Sequence, residues 1–325
     1  MRRRLVVLLV LAQGCGPPAG APRELVVIPP GAPVRAVAES LAAHRVISSP
    51  WWFRLLARAG RFDRRVKSGG YELPRGAGAI AALRLLAGGH PLVVKLTVPE
   101  GSSLRDIAAL ASTALRVNGD SLLAAARDTA LLREFAVPPR APSLEGFVAP
   151  DTYLLSPGLP ARAVVREMAT VFRQRWNPAW DEAAAAQGLD RLGLVTLASI
   201  VEGEARAEED RPLIAAVYRN RLRLGMPLQA DPTVQYALAL QTGARKPRLY
   251  EKDYGLESPY NTYLHPGLPP GPVGAPGRAS IEAVLAPAPV PFLYFVAGPD
   301  GRHIFSRTYA EHLRAVRLAR RARDR

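Results

Sequence analysis

Cysteine, histidine and long hydrophobic runs are all scarce in this sequence. The chain of 325 residues has one cysteine, Cys15, which excludes an internal disulfide framework. Its 5 histidines include no i, i+4 pair and show no recognisable ligand spacing, so the sequence predicts no metal site and disfavours a metal hydrolase. The apolar stretch from Leu5 to Ala12 is far shorter than the ~20 residues of a membrane-spanning helix. What is present is 48% hydrophobic residues, enough for the packed cores of about two domains.

The N-terminus has the pattern of an export signal. Three arginines precede the apolar stretch Leu5 to Ala12, and a Pro/Gly-rich spacer follows Cys15. The segment before Cys15 resembles a bacterial lipoprotein box, although Gln13 fits that box poorly. Lipidation at Cys15, cleavage, and retention as a marginal anchor all stay open. In each case residues 1–22 form an export signal and linker, and the body of the protein lies outside the cytoplasm.

Acidic residues are outnumbered by basic ones, 28 to 43, which leaves a formal net charge of +15. Such a surface favours an anionic partner. The export signal and the absence of an interleaved basic-aromatic motif argue against nucleic acid. A wall polymer with carboxylate-bearing peptides or an anionic membrane surface fits better. The C-terminal residues 319–325 are expected to form a solvated, frayed basic tail.

A strand, turn and helix pattern occurs twice near the N-terminus, in residues 27–42 and 97–112. A similar pattern fills residues 68–89, where Gly88 and Gly89 end the helix. Small β-α units of this kind are typical of a recognition module. A purely structural α+β subdomain explains them equally well.

The second half of the chain carries helix punctuation and one long irregular region. Helices are predicted from about 161 to 176 and from about 178 to 206. Asp210 is expected to cap a further helix that Gly225 ends, and Asp231 with Pro232 starts another. Residues 260–277 contain too much Pro and Gly for regular structure, and strands are predicted at 292–297 and 302–306.

Two glutamates stand at the end of the apolar run "LVTLASIVEGEAR", residues 194–206. On a helix Glu204 falls on the apolar stripe, whereas Glu202 points roughly 160° away. Burial on that stripe would raise the pKa of Glu204 and keep its carboxyl protonated near neutral pH, as a general acid requires. Glu202 is expected to be structural, capping a helix or pairing with an arginine. A solvated glutamate at a helix end is the alternative for Glu204.

Five motifs occur in one order: "LEGFVAPDTY", "SIVEGEA", "YRNRLRLGMPLQADPTV", "YNTYLHPGLPPGPV", and "FLYFVA" near "HIFS". Together they resemble the YceG-like lytic transglycosylases, the endolytic murein transglycosylase family, over about residues 24–316. The resemblance implies an α+β fold with a LysM-like β-α subdomain at 23–96. A mixed α+β catalytic domain with a Pro/Gly-rich groove loop would follow at 97–318.

The family pattern places the catalytic acid at the second glutamate of the E-x-E element, which is Glu204. It implies a lyase that needs no cofactor and cleaves the β-1,4 bond between N-acetylmuramic acid and N-acetylglucosamine within glycan strands, leaving 1,6-anhydro ends. For Asp231 helix capping is favoured over substrate contact, and core packing is the default for Tyr153, Tyr263 and Tyr294. The residues that the pattern places along the sugar groove are Gln229, Asp231, Tyr260, Asn261, Thr262 and Glu145.

The resemblance also implies partners and a location. Peptidoglycan glycan strands would be the substrate and peptidoglycan synthases would be partners, at the periplasmic face of the inner membrane, where the activity ends nascent strands. The sequence departs from the family at Gly203 and Ala205, where Lys and Thr are more usual, and in lacking the expected N-terminal spanning helix. The alternative function is a non-catalytic wall-binding protein with a silent Glu204.

Overall fold

The computed structural model describes residues 20–29, 31–61, 66–298 and 301–323. The expected export signal and Cys15 lie outside these residues. No helix within the described ranges is long and apolar enough to cross a membrane. The chain divides into two compact units, the first formed by residues up to 94 together with 154–160 and the second by 95–153 and 161–325.

Among the described residues, the first unit contains an antiparallel pair of strands and three helices. Strands β1 (Arg23–Ile28) and β2 (Gly69–Pro74) pair so that Val26 lies opposite Tyr71. The predicted strand, turn and helix patterns at 27–42 and 68–89 are confirmed, since α1 (Val34–Ala43) and α3 (Gly78–Gly88) follow the two strands. The third helix, α2 (Pro50–Ala59), had not been predicted. One face of each element contributes to a common apolar core.

The second unit is mostly helical. Strand β3 (Val94–Val98) leads into α4 (Leu104–Leu115), which confirms the pattern predicted at 97–112. Strand β4 (Asp151–Leu155), which had not been predicted, pairs with β3. The remaining elements before the site are the helices α5 (Gly119–Ala125), α6 (Thr129–Glu134), α7 (Ala161–Arg175) and α8 (Ala179–Ala185).

Helix α9 (Arg191–Glu204) forms the centre of this unit, with every residue from Leu192 to Val201 buried. It packs against α10 (Arg211–Arg223), α11 (Asp231–Thr242) and α12 (Arg278–Leu285). A helix that is apolar on all sides has to be enclosed by protein, because any exposed side would leave apolar surface in water. Its last residue is Glu204, so the enclosure of α9 determines where this carboxyl lies.

Strands β5 (Tyr294–Ala297) and β6 (His303–Ser306) form an antiparallel hairpin, as predicted, with Phe295 opposite Phe305. Residues 260–277 form no helix or strand, which was also predicted. The overall α+β class is confirmed.

Three predictions about secondary structure were wrong. The single helix expected from about 178 to 206 is divided into α8 and α9, because Gly188 has a positive φ of 73° and Asp190 caps α9 by accepting from the Gly193 amide. Asp210 precedes α10 but does not cap it, since its carboxylate binds the backbone N–H and ring Nδ1 of His303.

The third wrong prediction concerns the C-terminal basic tail. Helix α13 (Tyr309–Arg323) continues through most of residues 319–325, and only the last two residues are outside the described range. Ala315 and Ala319 are buried on the side of α13 that packs against β5 and β6. This apolar side explains the order of a segment whose other residues are mainly arginines.

Candidate active site

Glu204 lies at the C-terminal end of α9 and lines a groove of about 540 Å³ in the second unit. The first turns of α11, the hairpin β5–β6 and the chain after α11 supply the other walls. Gln229 and Asp231 lie on this groove. The other polar residues of the wall are Arg206, Tyr218, Arg221, Gln235, Arg248, Tyr254, Tyr263, His303 and His312.

The Glu204 carboxyl is held by two donors. The hydroxyl of Tyr218 donates to Glu204 Oε1 at 2.8 Å, and the backbone amide of Asp231 donates to the same carboxyl. Burial raises the pKa of Glu204 to about 7, while the Tyr218 hydrogen bond acts in the opposite direction. The carboxyl therefore exists in both protonation states near neutral pH.

Tyr218 is a rigid support for this carboxyl. It lies in α10 with 1% of its surface exposed, and its ring makes an edge contact with Phe295 at 5.8 Å between centroids. Burial and the adjacent Glu204 raise the pKa of its hydroxyl well above the ordinary value. Tyr218 is therefore a fixed, neutral hydrogen-bond donor.

Asp231 is the first residue of α11, but it does not cap that helix. The N-cap residue is Ala230, and the Asp231 side chain accepts from the Tyr263 hydroxyl at 2.6 Å. The expectation of helix capping was therefore wrong. The Asp231 carboxylate contributes to the raised pKa of Glu204, because two neighbouring negative charges repel each other. Tyr263, expected in core packing, instead lies on the groove wall against the ring of Tyr254.

Gly203 allows α9 and α11 to approach closely next to the carboxyl. A Cβ at this position would lie 2.8 Å from two ring carbons of Pro232. A glycine at this position thus permits the close approach of the neighbouring helix.

Gln229 is held in an uncommon backbone conformation on the groove. Its φ is 52°, in the left-handed region that residues other than glycine rarely adopt. Its amide donates to the Thr262 carbonyl at 3.0 Å, and its side-chain Oε1 accepts from Arg221 at 3.3 Å. Arg221 is itself fixed by the carbonyls of Leu228 and Leu293. These contacts orient the Gln229 amide group toward a fixed position on the wall.

Four expected groove residues do not line the groove. Tyr260, Asn261 and Thr262 are 7%, 0% and 1% exposed. Thr262 accepts from the Ala230 amide, and Asn261 donates to the carbonyls of Tyr254 and Leu256. These three buried residues stabilise the Pro/Gly-rich segment from the interior. A chain without regular structure needs side chains as hydrogen-bond partners for its backbone groups.

Glu145 is the fourth, and it is buried beside α4. It accepts from the Leu104 amide at 3.0 Å and from the Tyr236 hydroxyl at 3.0 Å. Burial raises its pKa to about 7. Burial thus raises the pKa of both Glu145 and Glu204, but the structure does not bring the two carboxyls into one site.

Glu202 has the structural role expected of it. It pairs with Arg211 at 2.8 Å, and its other oxygen accepts from the Gly277 amide and the Ser280 hydroxyl at the start of α12. These bonds satisfy donors of a helix N-terminus that would otherwise lack partners. Glu202 therefore joins α9, α10 and α12 on the side away from the groove.

His303 and Asp210 form a pair at the groove wall that the sequence analysis missed. The His303 Nδ1 lies 2.8 Å from Asp210 Oδ2, and both side chains are almost fully buried. Tyr218 and Arg221 were missed too, although both lie inside the motif "YRNRLRLG" that supported the resemblance. Their positions in that motif were the available signal.

A carboxyl with a pKa near 7 beside an open groove of hydroxyl, amide and guanidinium groups defines a candidate general-acid site for a polar polymer. Residues 26–318 match the model of the YceG-like family. The chain therefore belongs to the YceG-like family, as its motifs indicated.

Named relatives agree with this assignment. The endolytic murein transglycosylase of Bacillus subtilis strain 168 is 32% identical over 308 residues, which cover 89% of this chain and 82% of that protein. The enzyme of the same name from Streptococcus pneumoniae D39 is 28% identical over 318 residues, and the match spans 57% of its length. The crystal structure of a putative YceG-like protein from Listeria monocytogenes matches with a TM-score of 0.62 and 29% identity, covering 90% of this chain and 98% of that one.

Proposed function

We propose that this chain is an endolytic peptidoglycan lytic transglycosylase with Glu204 as its catalytic acid and base. The observation that carries the proposal is the position of Glu204, a carboxyl with a pKa of about 7 at the wall of an open groove. Membership of the YceG-like family and the names of the curated relatives support the substrate class.

The bond cleaved is the β-1,4 link between N-acetylmuramic acid and N-acetylglucosamine inside a glycan strand. Protonated Glu204 donates its proton to the glycosidic oxygen as the bond to the muramyl C1 breaks. The resulting carboxylate then takes the proton of the muramyl C6 hydroxyl as that oxygen attacks C1, with the substrate's N-acetyl group assisting. The products are a free C4 hydroxyl and a 1,6-anhydro ring, no water is consumed, and Glu204 is protonated again.

A single carboxyl can carry out both steps because its pKa is close to neutral. Tyr218 and the backbone amide of Asp231 donate to the carboxyl and hold it in position while it exchanges the proton with the substrate. This arrangement needs no second carboxyl at the ~5–9.5 Å separation that glycoside hydrolases use.

Gln229 and Asp231 are proposed to contact the sugars beside Glu204. Both line the groove, and amide and carboxylate groups bind sugar hydroxyls well. Arg206 and Arg248, exposed on the same groove, complement the carboxylates of peptide stems.

The proposed cellular setting follows from the resemblance to the YceG-like lytic transglycosylases. The enzyme acts in the bacterial cell envelope, attached through its N-terminal segment, and ends the elongation of nascent strands beside peptidoglycan synthases. The first unit would act as a LysM-like module that contacts glycan.

Digestion of uncross-linked glycan strands by the wild type, Glu204→Gln and Glu208→Gln tests the proposal, with mass spectrometry of the new ends. Glu208→Gln is the matched control because Glu208 is exposed and does not line the groove. We expect internal cleavage with 1,6-anhydro ends from the wild type and Glu208→Gln, and intact strands with Glu204→Gln. Reducing ends would identify a hydrolase, and strands bound but uncut by all three proteins would identify a wall-binding protein.

A further inference from the structure

Helix α2 of the first unit presents an apolar and cationic surface to solvent. Trp51, Arg54, Leu55 and Arg58 are spaced i, i+3, i+4 and i+7, so they form one stripe along the helix. We infer that this stripe, here called the α2 outer face, binds an anionic lipid surface. The inference does not depend on the catalytic activity proposed above.

The opposite side of α2 is fixed in the core. Phe53 and Ala57 are each 1% exposed and belong to the apolar cluster of the first unit. Ser49 caps the helix by accepting from the Trp52 amide, and Pro50 occupies its first turn. The helix therefore cannot turn its exposed residues inward without breaking this core.

The apolar residues of this surface are unusually exposed. Trp51 is 65% exposed and Leu55 44%, and the neighbouring Trp52 is 46% exposed with its ring stacked on that of Trp51 at 6.0 Å. Tryptophan side chains are favoured at the boundary between lipid headgroups and hydrocarbon, because the ring is apolar and its N–H can still bond. A shallow cavity of about 540 Å³ lies along the stripe.

The charge of the chain segment that contains α2 is entirely positive. No acidic residue occurs from Ser40 to Arg61, and this segment contains four arginines. Arg54 and Arg58 are exposed and form no ion pair with any residue that the structure describes. Each arginine held at an anionic bilayer surface strengthens binding on the order of five-fold.

The chemistry of the α2 outer face suits lipid phosphates better than sugars. The lining residues Val34, Trp51, Arg54, Leu55 and Arg58 include no carboxylate, amide or hydroxyl side chain. A saccharide site needs acceptors for sugar hydroxyls as well as donors, and the Glu204 groove supplies both. Guanidinium groups beside indole rings match phosphate oxygens above an apolar layer.

The sequence before the described structure supplies a second reason. The apolar stretch Leu5 to Ala12 and Cys15 precede β1 in the same unit by few residues. One short apolar segment or one acyl chain gives only marginal membrane binding, and stable attachment needs a second contact. The α2 outer face would supply such a second contact.

Tryptophan fluorescence in the full-length chain tests the inference directly, because the chain has 4 tryptophans and the other two, Trp176 and Trp180, lie in the second unit. Vesicles of phosphatidylglycerol with brominated acyl chains quench only rings that enter the bilayer boundary. We expect quenching in the wild type and in Trp176→Phe/Trp180→Phe, and its loss in Trp51→Phe/Trp52→Phe. Quenching that persists in Trp51→Phe/Trp52→Phe, or is absent from the wild type on vesicles, would overturn the inference.

The charge contribution is measured by binding to the same vesicles at low salt. Arg54→Gln/Arg58→Gln should bind roughly 25-fold more weakly, from two losses of about five-fold each. Arg317→Gln/Arg321→Gln removes two exposed arginines at the same spacing from α13 and should change binding less than two-fold. Equal effects of both pairs would refute a specific surface on α2. A fluorescence change of Trp51 and Trp52 with glycan strands but none with vesicles would assign this face to sugar binding instead.

Discussion

Replacing Tyr218 by phenylalanine tests the proton-transfer role of Glu204 without removing the carboxyl. The variant loses only the hydroxyl that donates to Glu204 Oε1 at 2.8 Å. The Phe ring can occupy the same position against Phe295. The hydrogen bond favours the ionised carboxyl, so its loss must raise the pKa of Glu204.

The size of this effect follows from the strength of the bond. A hydrogen bond to a charged group contributes roughly 1.5–3 kcal/mol, and one pKa unit corresponds to about 1.4 kcal/mol. The pKa of Glu204 should therefore rise from about 7 by about one to two units. Since the protonated form is the one that donates to the glycosidic oxygen, activity should extend to higher pH.

The assay is the pH dependence of kcat/KM for glycan strand cleavage, whose alkaline limb reports ionisation of the acid in the free enzyme. In Tyr218→Phe this limb should move up by about one to two pH units. Tyr236→Phe is the matched control, because Tyr236 is a buried tyrosine whose hydroxyl donates to Glu145 instead. An alkaline limb that stays in place or moves to lower pH in Tyr218→Phe would refute the assignment of Tyr218 and Glu204.

Two further predictions concern stability. Burial raises the pKa of Glu204 above its unfolded value, so the folded wild type loses stability as pH rises from about 4.5 to about 7. The free energy of unfolding of Glu204→Gln, measured with urea, should therefore exceed that of the wild type by on the order of 3 kcal/mol at pH 8 and by little at pH 4. Glu202→Ala should lower the free energy of unfolding by roughly 3–5 kcal/mol, because Arg211 and two donors at the start of α12 lose the Glu202 carboxylate. Glu282→Ala, which removes an exposed ion pair, should lower it by less than about 1 kcal/mol. An unchanged pH profile of stability in the first case, or equal costs in the second, would contradict these accounts.

The sequence by itself determined the family and many of the local elements. Helix α10 has proline in its first turn and is followed by Gly225, and these residues act on the backbone within a few positions. The hairpin β5–β6 likewise depends on short apolar runs about a turn. The different roles of Glu202 and Glu204 were also predictable, because a helix places residues two apart on different sides.

Only the tertiary structure decided which side chains share the groove. Tyr263 meets Asp231, and His303 meets Asp210, across long stretches of chain with no period to relate them. Tyr260, Asn261 and Thr262 are next to Tyr263 in the sequence but lie in the interior. In a Pro/Gly-rich segment each residue takes its own backbone direction, so only packing against α9 and α11 determines which residues face the groove.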